Sequence, residues 1–491
     1  MKRLHYIIFG FLFVLYFFCY YGVLSHVLFY HEQHHLFLFS CDYFWQCVAS
    51  EGLLSYLTAF VIQFFHIPAL GSGLLALIIA SVYLLSHQII RKISGGNDLL
   101  QLSMLPSLGL FFYTMSADRA LTLVTGCFLT LMLLYFVLLL IQRCWKVFPL
   151  FKINYTIRQS VRSCLTLLIL AGYAGFGYRY FVRHYKRSER VMLKAEEYVK
   201  SKEWEKVLRY TSHYWRSGRT NQLIAYFHHL ALYHTGQLPY RLLDFPQVMG
   251  VKSLYFPWNS DSRESEYGHF LYEELGYINE AQRWEFEAMV VWGETAPHLL
   301  NLARYNILNS RPLVAQRFIN KLKQSLFYRK EALELEKRLN DKQLPGMKNA
   351  LSKVQEEPVR FANVLNIGPE LEYLCQQDTT HRMAFEYLMS QLLLSNHIPR
   401  FVENLQKFRH LAPTPLPQTY EEALYIYKLG VSEEEFARTG FTVRPETERR
   451  FKRYYELAKN KKMQALQAEF GKTYWFYLNY ISPYGNKVIT R

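Results

Sequence analysis

Up to Arg183 the chain alternates apolar runs with short polar breaks, and beyond it the pattern changes. The runs are Tyr6–Tyr30, Leu53–Phe65, Ile67–Ile90, Leu99–Tyr113, Leu121–Ile141 and Leu165–Tyr178. A helix needs about 20 predominantly apolar residues to cross a bilayer core of ~30 Å, so these runs predict a bundle of five or six membrane segments. Leu53–Phe65 is short and Pro68 follows almost at once, which predicts a re-entrant or interfacial helix. Leu99–Tyr113 is also short and holds Pro106, which predicts a kink that neighbouring helices must accommodate. A cleaved signal peptide is disfavoured, because the first run is too long and no small-x-small site follows it.

From Glu189 onward, apolar and aromatic residues recur at helical spacing around short polar turns. Units of this kind run from Ala195 to Tyr210, Leu271 to Arg283, Leu302 to Arg317 and Met383 to Leu394. The turns fall near Lys202, Gly236, Gly276, Asn309 and Asn396, and the first three spacings lie close to the ~34-residue period of tetratricopeptide repeats. One helix pair cannot bury its own apolar face, so such pairs stack, and the groove of the stack is the default binding surface. Strand signals are weak throughout. The expected fold class is therefore all-α: a transmembrane helical bundle over 1–183, then a tetratricopeptide-like helical-repeat solenoid over 184–340 and 359–491. Residues 341–358 form a polar linker or loop between the two solenoid parts.

Charge sharpens this division. Only five acids precede Arg183, namely Glu32, Asp42, Glu51, Asp98 and Asp118, out of 40 in the chain. The formal net charge of +16 does not indicate nucleic acid. The charges of the second half are mixed in sign, as on solvated helices, and basic residues beside membrane spans meet anionic lipid headgroups. Lys2 and Arg3, Arg91 and Lys92, and the loop Arg143–Arg162 with its five basic residues all lie on the cytoplasmic side if Leu53–Phe65 does not cross. The final run then carries the tail out of the cytoplasm, against a second basic flank at Arg179, Arg183, Lys186, Arg187 and Arg190. Long domains translocate largely regardless of such charges. Six of the seven cysteines belong to the membrane half and no CxxC occurs. Cys41 and Cys47 share a loop and pair only if it faces an oxidising compartment; unpaired, they are small apolar residues.

Chemistry is sparsely marked. His31-Glu32-Gln33-His34-His35 matches H-E-x-x-H, in which two histidines one helical turn apart, His31 and His35, ligate zinc and the glutamate acts as base. No third ligand follows at a recognised spacing, and the cluster equally suits a polar patch just past the first span. Asp42, in the same loop, is an acid beside the bilayer, a placement that often marks function and is used by lipid-linked-sugar glycosyltransferases. It is otherwise a solubilising charge. Gly71, Gly73 and Ala76 fit a relaxed G-x-G-x-x-A, but no strand precedes them, so a dinucleotide site is excluded on context. Gly172, Gly175 and Gly177 are candidates for a helix-packing face. No P-loop or nucleophile elbow occurs, and no cofactor is expected.

Several stretches resemble an uncharacterised family of bacterial polytopic membrane proteins with a helical-repeat tail. They are Glu32-Gln33, Leu36–Phe39, Asp42-Tyr43, Gln63–Phe65, Ala281–Met289, Leu302–Leu308 and Glu386–Met389. The resemblance spans nearly the whole chain and implies an inner-membrane setting. His31 and His35 are not part of that family's pattern, which weighs against zinc. The expected function is a non-catalytic, membrane-anchored scaffold whose partners are the lipid bilayer and a protein or peptide held in the groove. Arg283, Glu287, Asn306 and Tyr328 are candidate groove residues, as polar groups in otherwise apolar helix pairs, although a buried structural hydrogen-bonding role is the expected one for each. The alternative is a membrane enzyme acting on a lipid-linked or envelope substrate through the 31–51 loop, with Glu32 and Asp42 as its acids.

Overall fold

A computed structural model describes residues 4–94, 98, 100–145, 159–257, 262–340 and 367–485. Lys2, Arg3, most of the Arg143–Arg162 loop and the expected 341–358 linker lie outside these. Every regular element among the described residues is helical. The chain groups into two compact units, and the division is not a single cut. One unit comprises Met1–Leu193, Glu294–Leu300 and Arg317–Glu334; the other comprises Lys194–Gly293, Asn301–Gln316 and Leu335–Arg491.

Among the described residues of the first unit, four helices are long and apolar enough to cross a membrane: Leu4–Val23, Pro68–Ser94, Thr122–Arg143 and Cys164–His184. The last belongs to a continuous Gln159–His184 helix of 26 residues, about 39 Å at 1.5 Å per residue, so the fourteen-residue apolar run understated it. Leu53–Ile62 spans only ten residues, about 15 Å, as its short run implied. Met104–Tyr113 is equally short, and it contains Pro106. The proline sits in the first helical turn, where its missing N–H has no intrahelical partner to lose.

Side-chain contacts fix how these helices run. The His5 ring stacks on His87 at 4.8 Å, and the Lys92 Nζ donates to Gln142 Oε1 at 2.6 Å. The start of the Leu4–Val23 helix thus lies beside the ends of Pro68–Ser94 and Thr122–Arg143. At the opposite ends, the Tyr185 hydroxyl donates to the Val23 carbonyl, Tyr20 pairs with Thr114 at 2.5 Å, and Lys186 Nζ donates to Ser116 Oγ at 2.6 Å. Several polar groups inside the bundle pair with one another, whereas the buried hydroxyls of Ser72, Tyr83 and Ser86 have no such partner. Tyr16 meets Ser107, whose hydroxyl donates to the Ile79 carbonyl, and Thr58 meets Thr125. Of the expected packing face on the last of these helices only Gly177 is in close contact, where a Cβ would meet the Phe112 ring; one at Gly172 or Gly175 would meet nothing within 4 Å. Cys41 and Cys47 are both free thiols, the first exposed and the second buried.

The second unit repeats one turn. Lys202, Gly236, Gly276, Ser310, Asn396 and Lys461 all have φ between 53° and 80°. In each case the next residue donates its N–H to a carbonyl five residues back: Glu203 to Tyr198, Gln237 to Leu232, Tyr277 to Tyr272, Arg311 to Asn306, His397 to Leu392 and Lys462 to Leu457. This bond closes the outgoing helix in a left-handed cap. The following helix then opens at Trp204, Leu238, Ile278, Pro312, Ile398 or Met463. Five of these turns match those read from the sequence, with Ser310 replacing its neighbour Asn309, and the sixth at Lys461 was not foreseen. Near the end of the chain, Tyr474 and Tyr477 donate to the carbonyls of Leu393 and Leu394, which satisfies the C-terminus of the Arg382–Leu394 helix.

Candidate functional site

The H-E-x-x-H segment ends the Ser25–His34 helix, and its last histidine falls outside it. His35 is extended, with φ −132° and ψ 130°, and its Nδ1 pairs with the His31 carbonyl. The two histidines therefore do not share a helical face one turn apart, which the zinc-protease arrangement requires. Both ring nitrogens of the buried His31 lack hydrogen-bonding partners. Burial and the neighbouring His35 and His34 push its pKa down to about 3, so the ring is neutral. Among the described residues no three His, Cys, Asp or Glu side chains are grouped to hold a metal.

Glu32 has a different environment. It is 7% exposed, and its carboxylate accepts from His66 Nδ1 at 3.0 Å, from the Tyr328 hydroxyl and from Gln33 Nε2 at 2.6 Å. The backbone explains how His66 arrives there. Pro68 opens the long second span, and the residue before a proline is driven out of helical geometry. Ile67 is accordingly extended, with φ −103° and ψ 105°, and the preceding Gln63–His66 turn ends facing Glu32. Gly71 lets this turn lie against the span, since a Cβ there would come within 2.7 Å of the Phe65 Cα. Tyr328 comes from the turn before the Arg329–Asn340 helix. Beside it the Phe327 ring stacks on His66 at 5.2 Å, and the Tyr328 ring meets His66 edge-on at 5.0 Å. Phe39 N donates to the Gln324 carbonyl at 2.9 Å, which ties the same segment to the 31–51 loop.

The electrostatics follow from this geometry. Burial alone would raise the Glu32 pKa, but the hydrogen bonds from His66, Tyr328 and Gln33 together hold it below the ordinary carboxylate value. The Glu32 hydrogen bond raises His66 against partial burial. Burial, then the Glu32 charge, pushes Tyr328 far above its usual value, so it remains a hydroxyl donor. The result is a buried carboxylate orienting an exposed imidazole through Nδ1, with Nε2 left open. This is the arrangement from which an imidazole exchanges protons with a bound molecule.

The other expected residues do not gather here. Asp42 is exposed in the first turn of the Cys41–Ser50 helix, where its charge faces the positive helix end, and Ser40 caps that helix by accepting from Tyr43 N. It is not among the partners of Glu32. Three of the four proposed groove residues belong to the second unit. Arg283 pairs with Glu280 at 2.8 Å and with Glu287 at 3.5 Å, on its own helix. Asn306 is 1% exposed and donates to the Leu302 carbonyl at 2.8 Å, which is a structural role. Only Tyr328, in the first unit, joins Glu32. His66 escaped the sequence reading; its signal is a histidine two residues before the proline that begins a span.

A family of unknown function (DUF6057) matches residues 1–182 and 145–481, and the chain belongs to it. No curated protein and no solved structure matches the chain.

Proposed function

We propose that the chain is a membrane-anchored interaction protein of the bacterial inner membrane, whose tetratricopeptide-like helical-repeat unit holds a protein or peptide partner. The observation that carries this is the single turn used six times in the second unit. Reuse of one helix-closing device produces successive antiparallel helix pairs, and stacked pairs leave a continuous face for a partner. The four apolar helices supply the anchor. The reading also puts the repeat unit outside the cytoplasm. Arg91, Lys92 and Arg143 share one end of the bundle, and Lys186 and Glu189 follow the last span at the other.

Two measurements test it. Cross-linking in native membranes is expected to recover a reproducible partner through the repeat unit; its absence, together with a turnover activity of the purified protein, overturns the reading. For sidedness, Glu205→Cys in a chain otherwise free of cysteine is expected to react with a membrane-impermeant thiol reagent in intact spheroplasts. Labelling only after lysis places the repeats in the cytoplasm.

The Glu32–His66–Tyr328 cluster favours a second reading, a membrane enzyme acting on a lipid-linked or envelope substrate beside the 31–51 loop. Incubation of the purified protein with an envelope lipid extract, followed by mass spectrometry, tests it. A product made by the wild type and not by Glu32→Gln supports the enzyme; identical product profiles remove it.

A further inference from the structure

A second polar site lies wholly in the second unit, at the meeting of three helices, Gly368–Gln377, Arg382–Leu394 and Ile398–Lys407. They enclose a partly open cavity of about 130 Å³, with Leu388 and Leu392 as apolar lining and Gln391, His397, Arg400 and Asn404 as polar groups. Asn404 is 2% exposed, and its amide is oriented by a 2.9 Å bond from Nδ2 to the Arg400 carbonyl. Its Oδ1 has no hydrogen-bonding partner, and neither does the buried Oε1 of Gln391. Buried acceptors are seldom left unpaired in folded proteins, and two on one small cavity call for a donor.

The cavity also has a site for negative charge. Arg400 lies one turn before Asn404 on the same helix face, with its side chain 48% exposed. Its bond to Glu372 is 3.4 Å long, whereas Lys407 holds Glu372 at 2.8 Å, so Arg400 can turn away without leaving that carboxylate unpaired. Gly368 opens the ten-residue helix whose N-terminus borders the cavity, and that end carries a partial positive charge. A Cβ there would come within 2.7 Å of Gln391 Oε1 and would displace that side-chain amide.

We propose that this cavity binds an N–H donor one carbon away from a carboxylate, the grouping shared by a free α-amino acid and the C-terminal residue of a peptide. The donor meets Asn404 Oδ1 and Gln391 Oε1, and the carboxylate meets Arg400. Size agrees with this chemistry. A cavity of about 150 Å³ accepts one benzene, about six non-hydrogen atoms, and L-alanine is of that size. The site shares no residue with the Glu32 cluster and does not depend on the scaffold reading.

The test is equilibrium dialysis of the full-length protein in detergent with radiolabelled L-alanine, N-acetyl-L-alanine, propionate and ethylamine. Either of the first two is expected to bind at least tenfold more tightly than propionate or ethylamine. Preference for L-alanine assigns a free amino acid, and preference for N-acetyl-L-alanine a peptide C-terminus. Arg400→Gln and Asn404→Leu are each expected to weaken binding at least tenfold while keeping the wild-type helical circular dichroism. Gly368→Ala displaces the Gln391 amide and weakens binding by a smaller factor. Should Asn404→Leu not fold, Arg400→Gln, at a half-exposed side chain, decides alone. No saturable binding by the wild type, equal binding of propionate, or wild-type affinity in Arg400→Gln overturns the proposal.

Discussion

The Tyr328 hydroxyl donates to the Glu32 carboxylate across 296 residues of chain, inside one compact unit. A hydrogen bond to a charged, buried acceptor contributes about 1.5–3 kcal/mol. Tyr328→Phe is therefore expected to lower stability by roughly that amount. Glu32→Leu should cost more than Glu32→Gln, because it leaves the donors of Tyr328, Gln33 and His66 without any acceptor. Chemical denaturation of the three variants checks this order.

The Glu32–His66 pair also sets a pH window. Glu32 is depressed below its ordinary 4.5, so its contribution is complete above 4.5 and is lost as pH falls through its folded value. His66 is raised above 6.5, so its contribution is complete below 6.5 and is lost as pH rises through its folded value. The stability difference between wild type and His66→Asn is expected to be greatest between those two values and to shrink on either side. Melting temperatures measured across pH would show it; a difference independent of pH would contradict the pairing.

Glu386 should behave in the opposite way. Its side chain is 4% exposed, Oε2 has no partner, and Arg382 is 3.5 Å away and largely in solvent. Burial, only partly offset by Arg382, pushes its pKa up to about 7. A carboxyl raised in the folded state costs stability as pH rises from its unfolded value toward 7, and the full cost remains above 7. Glu386→Gln is expected to stabilise the protein by about 1–2 kcal/mol at pH 8 and to be nearly neutral at pH 4. Unfolding at the two pH values decides it.

The repeated turn predicts a pattern among substitutions. A side chain at positive φ costs about 1–2 kcal/mol, and glycine does not incur this. Lys202→Gly and Lys461→Gly are expected to raise stability by up to about 1 kcal/mol, after the entropy of the unfolded glycine is offset. Gly236→Ala and Gly276→Ala should lower it by about 1 kcal/mol. Lys202→Ala should leave it nearly unchanged, because the strain is already present. Denaturant midpoints would separate the three classes.

Gly71 tests the junction that delivers His66. Replacing a helix-interior glycine by alanine ordinarily gains up to about 1 kcal/mol. Here the added Cβ meets the Phe65 backbone rather than a flexible side chain, and overpacking of this kind costs about 1–3 kcal/mol. Gly71→Ala is expected to be destabilising, whereas Gly73→Ala, 3.9 Å from the nearest ring atom, should not be. Thermal unfolding of the pair gives the comparison.

Local physics made much of this chain legible by sequence alone. Apolar runs of spanning length announce long apolar helices, because an uninterrupted run of that length keeps its backbone hydrogen bonds within one segment. The turns at Lys202, Gly236, Gly276 and Asn396 were readable because left-handed caps need short, polar or glycine positions between apolar helices. The candidate site was only half readable. Glu32 stood out as one of few acids in an apolar half, and Tyr328 as a polar group in an apolar pair, but nothing local joins them. Their meeting, the arrival of His66 at the Pro68 junction and the solitary position of Asp42 were decided by tertiary structure. Contacts between residues hundreds of positions apart depend on how helices pack, and helical periodicity specifies which face is buried without specifying against what. The return of Glu294–Leu300 and Arg317–Glu334 to the first unit is the same effect, since amphipathic helices carry no local mark of the partner that covers them.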